Sequence, residues 1–482
     1  MQDFRPVFFI IGVLLAALSA SMLVPAGLDF VSGDENWKSF IAAAAMTGFF
    51  AGILVLTSRG DITVLNVQQA FALTSWSWIS LTAFAALPFC LGGLQLSYTD
   101  GFFEAMSGLS TTGATVIDNL AGTSKGLLMW RALLQWFGGI GIIVMAIAVL
   151  PLLNVGGMQL FRIESSDNSE KILPRATEIA GSIARIYLGI TLACAVGYLL
   201  AGMSGFDAIA HAMTTIATGG FSTMDNSIAA FDSAIIDWVA ILFMIASSLP
   251  FAIYLQAVHS NRLPLFQDAQ VRTFAALLLG LVGTIWAYRL LSSDVGALRA
   301  LREVFFNVTS VLTGTGYVTS DFDQWGTLPL GLFFLMAFIG GCAGSTACGL
   351  KVFRFQLILK AGIRSVRQLV HPNGIFALRY NGRPVNDDVA ESVLTFAITY
   401  FILFVLIACG LGVFGIDVMT ALSASASTIS NLGPGLGETI GPAGNYASLP
   451  EGAKWVLCLA MLLGRLELFT LLVMLTPAFW RR

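Results

Sequence analysis

Four short tracts decide the fold: Ser110-Thr111-Thr112-Gly113-Ala114, Ala217-Thr218-Gly219-Gly220-Phe221, Thr313-Gly314-Thr315-Gly316-Tyr317 and Ser430-Asn431-Leu432-Gly433-Pro434. Aligned on Gly113, Gly220, Gly316 and Gly433 they stand 107, 96 and 117 residues apart, a period that marks a repeated supersecondary unit. Each tract closes a short, moderately apolar segment of helical composition: Gly101 to Leu109, Asp207 to Ile216, Leu301 to Val311 and Ile416 to Thr428. These segments are too short to cross a membrane and too apolar for free loops. Backbone of that kind is tolerated at membrane depth only where it is buried in protein or lines a wet cavity, so they read as re-entrant pore loops.

The sequence around the tracts supports a bilayer as the solvent. Of 482 residues 56% are hydrophobic and only 11% charged, where a soluble domain carries roughly 25% charged residues. The mean hydropathy of +0.81 rests on long apolar runs, not on the alternation of an outer-membrane barrel. Such runs predict helices near residues 6–25, 38–57, 70–92, 127–153, 178–202, 233–258, 272–292, 327–360, 390–412 and 452–477. The expected fold is an all-α polytopic membrane protein. About ten transmembrane helices carry four parallel helix, re-entrant pore loop, helix repeats around a pseudo-fourfold pore. The divisions are an N-terminal transmembrane hairpin at 1–65 and pore repeats at 66–155, 156–262, 263–370 and 371–482, the third with an interrupted second helix.

Most Lys and Arg fall on one face of this arrangement: Arg5, Arg59, Arg162, Lys171, Arg175, Arg262, Arg272, the series from Lys351 to Arg383, Arg481 and Arg482. The positive-inside rule places that face, and both termini, in the cytoplasm of a bacterial inner membrane. A signal peptide is the competing reading of Arg5 and the run from Val7 to Val24, which is long for one. Cys90, Cys194, Cys342, Cys348, Cys409 and Cys458 all lie in apolar or small-residue stretches, which argues against disulfides and against a zinc site.

A dehydrated cation needs oxygens in place of water, because a bare charge in a low-dielectric interior is heavily penalised. Backbone carbonyls supply them. Aiming consecutive carbonyls at one axis requires conformations that L-residues resist, which explains the aligned glycines. The preceding helices would turn their partially negative C-termini toward the pore centre. Outer-loop acids, Asp100, Glu104, Asp118, Asp207, Asp225, Asp232, Asp321, Asp323 and Glu438, would concentrate cations at the entrance.

The four tracts resemble the filter segments of the TrkH/KtrB superfamily of potassium-transporting membrane subunits, degenerate relatives of the TVGYG loop of potassium channels. The extra N-terminal hairpin is similar to the TrkH branch. The resemblance covers nearly the whole chain. It implies potassium uptake, with sodium as the second candidate ion, and K+ as the transported ion with no organic cofactor on this chain. The expected filter residues are Thr111, Thr112, Gly113, Thr218, Gly219, Gly220, Thr315, Gly316, Asn431, Leu432 and Gly433. It also implies a homodimer, one pore per subunit, on cytosolic TrkA-like regulatory subunits that bind ATP/ADP or NAD(H) themselves. The fourth tract departs most from the pattern, and a filter with fewer ideal carbonyl sites discriminates less sharply between K+ and Na+.

Two elements suit a gate. Gly340-Gly341-Cys342-Ala343-Gly344-Ser345-Thr346-Ala347-Cys348-Gly349 is too rich in glycine for a continuous helix, at about 1 kcal/mol per Gly. The stretch is not a Walker motif, since Leu350 precedes Lys351; it resembles the family's intramembrane loop, with Gly340, Gly341, Gly344, Ser345, Thr346 and Gly349 as its candidate residues. Close helix packing by small residues is the alternative. Arg465 lies inside the last apolar run, where a central Arg costs roughly 2.5–3.5 kcal/mol, and the resemblance assigns it to the gate. Glu467 would point away from it on a continuous helix. The seven basic residues from Lys351 to Arg383 suit either anionic lipid or a docked subunit. A proton- or sodium-coupled symporter is the runner-up function. A membrane enzyme is less favoured, because His211, His259 and His371 are predicted far apart, and His211 aligns with Glu104 and Asn307 as a polar position behind the filter.

Overall fold

The computed structural model describes residues 3–60, 65–145, 172–260 and 265–481. The end of the fourth predicted helix beyond 145, the charges Arg162, Lys171, Arg262 and Arg482, and the repeat boundaries at 155/156 and 262/263 lie outside them. An N-terminal hairpin comes first, Arg5–Ser21 continuing into Leu23–Ser32 and returning as Trp37–Thr57. Its inward residues Val7, Ile11, Leu15, Phe40 and Ala43 are buried, while Val13, Phe49 and Leu56 stay exposed as expected of a lipid-facing surface.

Four units follow, each an outer helix, a short pore helix and an inner helix. The outer helices are Val67–Ala85, Ile172–Leu200, Ala269–Ser292 and Asp387–Val413. The pore helices are Tyr98–Leu109, Gly205–Ile216, Ala297–Thr313 and Val418–Ile429, each within a few residues of its expected span. Three of them start on a side-chain cap: Ser97 accepts from Asp100 N–H, Ser204 from Asp207 N–H and Asp417 from Thr420 N–H. All four end alike. Thr112, Gly219, Thr315 and Leu432 donate their N–H to Ser107, Thr214, Ser310 and Ser427 at 2.8–2.9 Å, the bond pattern of a Schellman turn.

The first inner helix, Lys125–Val144, and the fourth, Glu451–Arg465, approach their pore helices closely through glycine. A Cβ on Gly138 would lie 1.9 Å from Leu109 O, and one on Gly464 2.1 Å from Ile429 O, the equivalent carbonyl of the fourth repeat.

The inner helices are also where the structure departs from hydropathy. Among the described residues seven helices are long and apolar enough to cross a membrane, or eight if one bent pair is counted. The apolar run at 233–258 is not one helix: Ala234–Ser247 and Phe251–Ser260 meet at 89° around Pro250. Proline lacks the N–H that would continue the ladder, and the Tyr254 hydroxyl donates to Ala246 O at 2.7 Å instead. The run at 452–477 breaks as well, into Glu451–Arg465 and Phe469–Met474. There Glu467 and Leu468 adopt φ of +57° and +48°. In the third repeat the expected interruption is present, between Thr327–Met336 and Val352–Val370.

Candidate functional site: the four-tract ring and the loop beneath it

The four tracts meet in a closed ring. A Cβ on Gly113 would fall 2.2 Å from Gly219 O, on Gly220 1.9 Å from Thr315 O, on Gly316 2.2 Å from Leu432 O, and on Gly433 2.6 Å from Thr112 O. Each glycine therefore abuts the carbonyl just before the next repeat's glycine, in the order one, two, three, four, one. All four glycines have positive φ, between +74° and +103°. Two residues earlier Thr111, Thr218, Gly314 and Asn431 are also left-handed, at +53°, +51°, +73° and +53°. For a β-branched threonine this is a true outlier, and strain of this kind persists where surrounding structure over-determines the backbone.

The hydroxyls are mostly engaged. Thr112 pairs with Ser110 at 2.7 Å, Thr315 with Thr313 at 2.8 Å, and Thr218 donates to Ala217 O at 2.7 Å. Asn431 donates through Nδ2 to Thr112 Oγ1 and to Met461 O, both at 2.9 Å, so its side chain ties the fourth tract to the first.

A different polar strut stands behind each tract. Glu104 accepts from Val116 N–H at 3.0 Å and from the Thr115 hydroxyl. His211 donates from Nδ1 to Asp207 O at 2.8 Å and accepts at Nε2 from Ser222 at 2.9 Å. Asn307 bonds Thr319, and Ser423 donates to Leu436 O. His211 and Asn307 sit where the alignment puts them. Glu104 needs a correction as an entrance charge: it is fully buried and paired with Arg131, Nε to Oε1 at 2.7 Å. Arg131 also donates to Ser222 O at 2.8 Å and stacks 4.0 Å over Phe221. Arg131→Met leaves Glu104 buried without its partner. Such a loss costs about 3–5 kcal/mol, so the purified variant should melt well below the parent; an unchanged Tm would show the pair to be dispensable.

Gln135 and Tyr446 at the ring carry no mark in the sequence, and Tyr317 enters it only as the last residue of its tract. Gln135 donates from Nε2 to Gly219 O at 2.6 Å and accepts from Phe221 N–H at 3.1 Å. Tyr317 bonds Thr214, and Tyr446 donates to Gly433 O at 2.9 Å. Their only signal is a polar or aromatic residue in an apolar run, which many buried side chains share.

Outside the ring opens a vestibule lined by Gly113, Gly220, Gly316, Gly433, Asp225 and Arg131 among others. Two of the outer-loop acids hold backbone: Asp225, in the vestibule wall, accepts from Leu120 N–H at 2.7 Å, and Asp323 accepts from Gly437 N–H at 2.7 Å. Burial, with Asp321 nearby, pushes the Asp323 carboxyl up to about 6 against the opposing pull of the Gly437 bond. A raised native pKa means stability is lost as pH climbs from about 4 through 6. Asp323→Asn should therefore melt higher than the parent at pH 7.5 and together with it at pH 4. Equal Tm at pH 7.5 would contradict this.

Beneath the ring lies the glycine-rich loop. The break at Pro250 frees polar groups of the second inner helix, and the loop takes them: Cys342 N–H donates to Ser248 O at 3.0 Å, Thr346 Oγ1 to Ser247 O at 3.0 Å, and Phe251 N–H to Gly344 O at 2.9 Å. Gly340 pairs with Lys351 and Ile339 with Leu350 in a two-residue parallel ladder closing the loop's neck. Ser345 donates to Cys342 O, and Gly341 accepts from Val352 N–H. Gly344 and Gly349 have φ of +74° and +75°.

Arg465 reaches this loop from the fourth repeat. It is fully buried, donating from Nη2 to Gly138 O of the first inner helix at 2.6 Å and from Nη1 to Thr346 O and Cys348 Sγ. One guanidinium thus ties the first inner helix to the glycine-rich loop. Glu467 does not pair with Arg465. It accepts from Arg354 at 2.5 Å and lies 3.7 Å from Lys351, both buried. Lys351 and Arg354 therefore leave the set of cytoplasmic surface charges.

Comparison with known proteins agrees with this geometry. A family model for TrkH, described as a cation transport protein, matches residues 37–482. The Trk system potassium uptake protein TrkI of Halomonas elongata is 42% identical over 100% of this chain and 98% of its own length. The Trk system potassium uptake protein TrkH of Escherichia coli K12 is 37% identical over the full length of both. The crystal structure of the potassium transporter TrkH from Vibrio parahaemolyticus superposes with a TM-score of 0.93 at 37% identity, covering all of both chains. The chain belongs to the TrkH family of cation transport proteins, a family of membrane transporters and not of enzymes.

Proposed function

We propose that this chain carries K+ across the bacterial inner membrane, into the cell, through the ring of four tracts. The observation that carries the reading is the closed cycle of glycine-to-carbonyl contacts, which brings backbone from four chain segments together in one ring. The relatives' names, potassium uptake proteins, supply the ion. Thr111, Thr112, Gly113, Thr218, Gly219, Gly220, Thr315, Gly316, Asn431, Leu432 and Gly433 form the filter, their carbonyls replacing the hydration shell. The division into an N-terminal hairpin and four repeats follows the same cycle.

Gly340, Gly341, Gly344, Ser345, Thr346 and Gly349 shape the gate below, and Arg465 latches it. Both termini face the cytoplasm. The chain works as a homodimer with cytosolic nucleotide-binding subunits; the relatives are named for a Trk system, and Lys360, Arg367 and Arg379 offer an exposed basic surface for docking. Nucleotide binds those subunits, not this chain. The test is rescue of a K+-uptake-deficient bacterium at low external K+, with the chain expressed beside its regulatory partner and Gly316→Ser in parallel. Rescue by the parent alone supports the assignment. Failure of the parent, with the protein present in the membrane, overturns it.

A further inference from the structure

The loop beneath the ring has an anchor on its cytoplasmic side that belongs to none of the groups described so far. Gln270, at the start of the third outer helix and 1% exposed, accepts at Oε1 from Ala343 N–H at 2.8 Å. Ala343 lies within the glycine-rich stretch and is buried. A loop with glycine at 340, 341, 344 and 349 has little conformational preference of its own, so its position is set by whatever holds its polar groups.

Gln270 is in turn held by a cytoplasmic hairpin. The strands Arg379–Tyr380 and Arg383–Pro384 pair antiparallel, with Asn381 and Gly382 at φ of +47° and +79° between them, an Asn-Gly turn suited to a two-residue hairpin. Asn381 sits on the first turn of the third outer helix, accepting from Ala269 N–H at 3.0 Å and donating to Asp268 Oδ2 at 3.2 Å. Asp268 is that helix's cap and accepts from Gln270 N–H at 2.7 Å. Tyr380, buried, lies beside the Gln270 side chain. From the other side Gln356 donates to Ala269 O at 2.8 Å. Residues 268–270 are thus gripped by the hairpin on one side and grip the loop on the other.

We propose that Gln270 is a positioning residue for the gate loop, and that the 379–384 hairpin, through Asn381, sets where Gln270 holds Ala343. The proposal rests on the loop being the gate. Movement of the exposed hairpin rotates the helix's first turn and draws the loop with it, so the hairpin is an input to the gate from the cytoplasm.

The experiment measures Rb+ flux and the K+/Na+ ratio in vesicles containing the purified full chain, for the parent, Gln270→Met, Asn381→Ala, their double variant and Arg465→Ala. Gln270→Met keeps the side chain's size and removes the acceptor; Asn381→Ala changes an exposed residue and should fold normally. Expected are flux increases of about two- to tenfold for Gln270→Met and a smaller rise for Asn381→Ala, with the ion ratio unchanged. The double variant should equal Gln270→Met alone, because both act through one linkage. A purely structural role would lower flux, or shift the ion ratio, and would overturn the proposal. Additive effects in the double variant would overturn the hairpin's part in it. If Arg465→Ala raises flux and neither Gln270→Met nor Asn381→Ala does, the gate stands and this inference falls. If none of the three alters flux, the gate reading itself has failed. Should Gln270→Met not purify as a single species, the Asn381→Ala arm decides alone.

Discussion

Gly220→Ala should reduce K+ uptake by at least about thirtyfold while leaving the protein in the membrane. The added Cβ would sit 1.9 Å from Thr315 O, one of the four ring carbonyls, on a residue whose φ is +74°. A left-handed conformation costs an L-residue about 1–2 kcal/mol, and overpacking a rigid site adds about 1–3. The combined 2–5 kcal/mol, roughly, corresponds to about thirtyfold to several thousandfold on the equilibrium between intact and distorted rings. Neither neighbour can retreat, since each tract is pinned by its Schellman turn and, in the second tract, by Gln135. Gly283→Ala is the matched control, on an outer helix where a Cβ meets nothing within 4 Å. Uptake within threefold of the parent for Gly220→Ala would show that the ring is not the conducting element.

Arg465→Ala should act in the opposite direction, raising flux by on the order of tenfold. Two unit charges about 8 Å apart repel by ~2 kcal/mol at an effective dielectric of 20, and water in the path reduces this. The guanidinium also braces Thr346 O against Gly138 O, so its removal frees the loop as well as the charge. Arg465→Lys separates the two contributions. It keeps the positive charge and loses the fork that spans two acceptors, so its flux should lie between parent and alanine. Unchanged or lower flux in a well-expressed Arg465→Ala would remove the residue from the gate. These two variants change flux in opposite senses from positions in the same pore, which makes the pair more informative than either alone.

Much of the molecule is legible without coordinates. The four glycines, their spacing and the short helices before them appear in the chain because glycine is the residue that tolerates φ near +80° beside a neighbour's carbonyl. Asn431, Thr111 and Thr218 carry no such mark, although their backbones are as left-handed as Gly314; the conformation is imposed on them by the turns around them. The breaks in the second and fourth inner helices are hidden for a related reason. Apolar composition measures transfer to lipid, and a broken helix that faces protein is as apolar as a continuous one. Glu104 illustrates the limit for charge: its sequence position suggested an entrance, yet Arg131, 27 residues on, makes it a buried strut.

By itself, then, the sequence determined a membrane-embedded helical chain, the four spaced glycine tracts, the place of each ring glycine, the interrupted eighth span and the anomalous Arg465, because each follows from local backbone sterics or from transfer of side chains to a bilayer. Only the tertiary structure decided which carbonyl faces which glycine, that Glu467 turns to Arg354 and Lys351, that the loop fills the break at Pro250, and that Gln270 holds Ala343. Those contacts join residues far apart in the chain, and the free energy that selects among them comes from satisfying buried polar groups, whose partners no local pattern names.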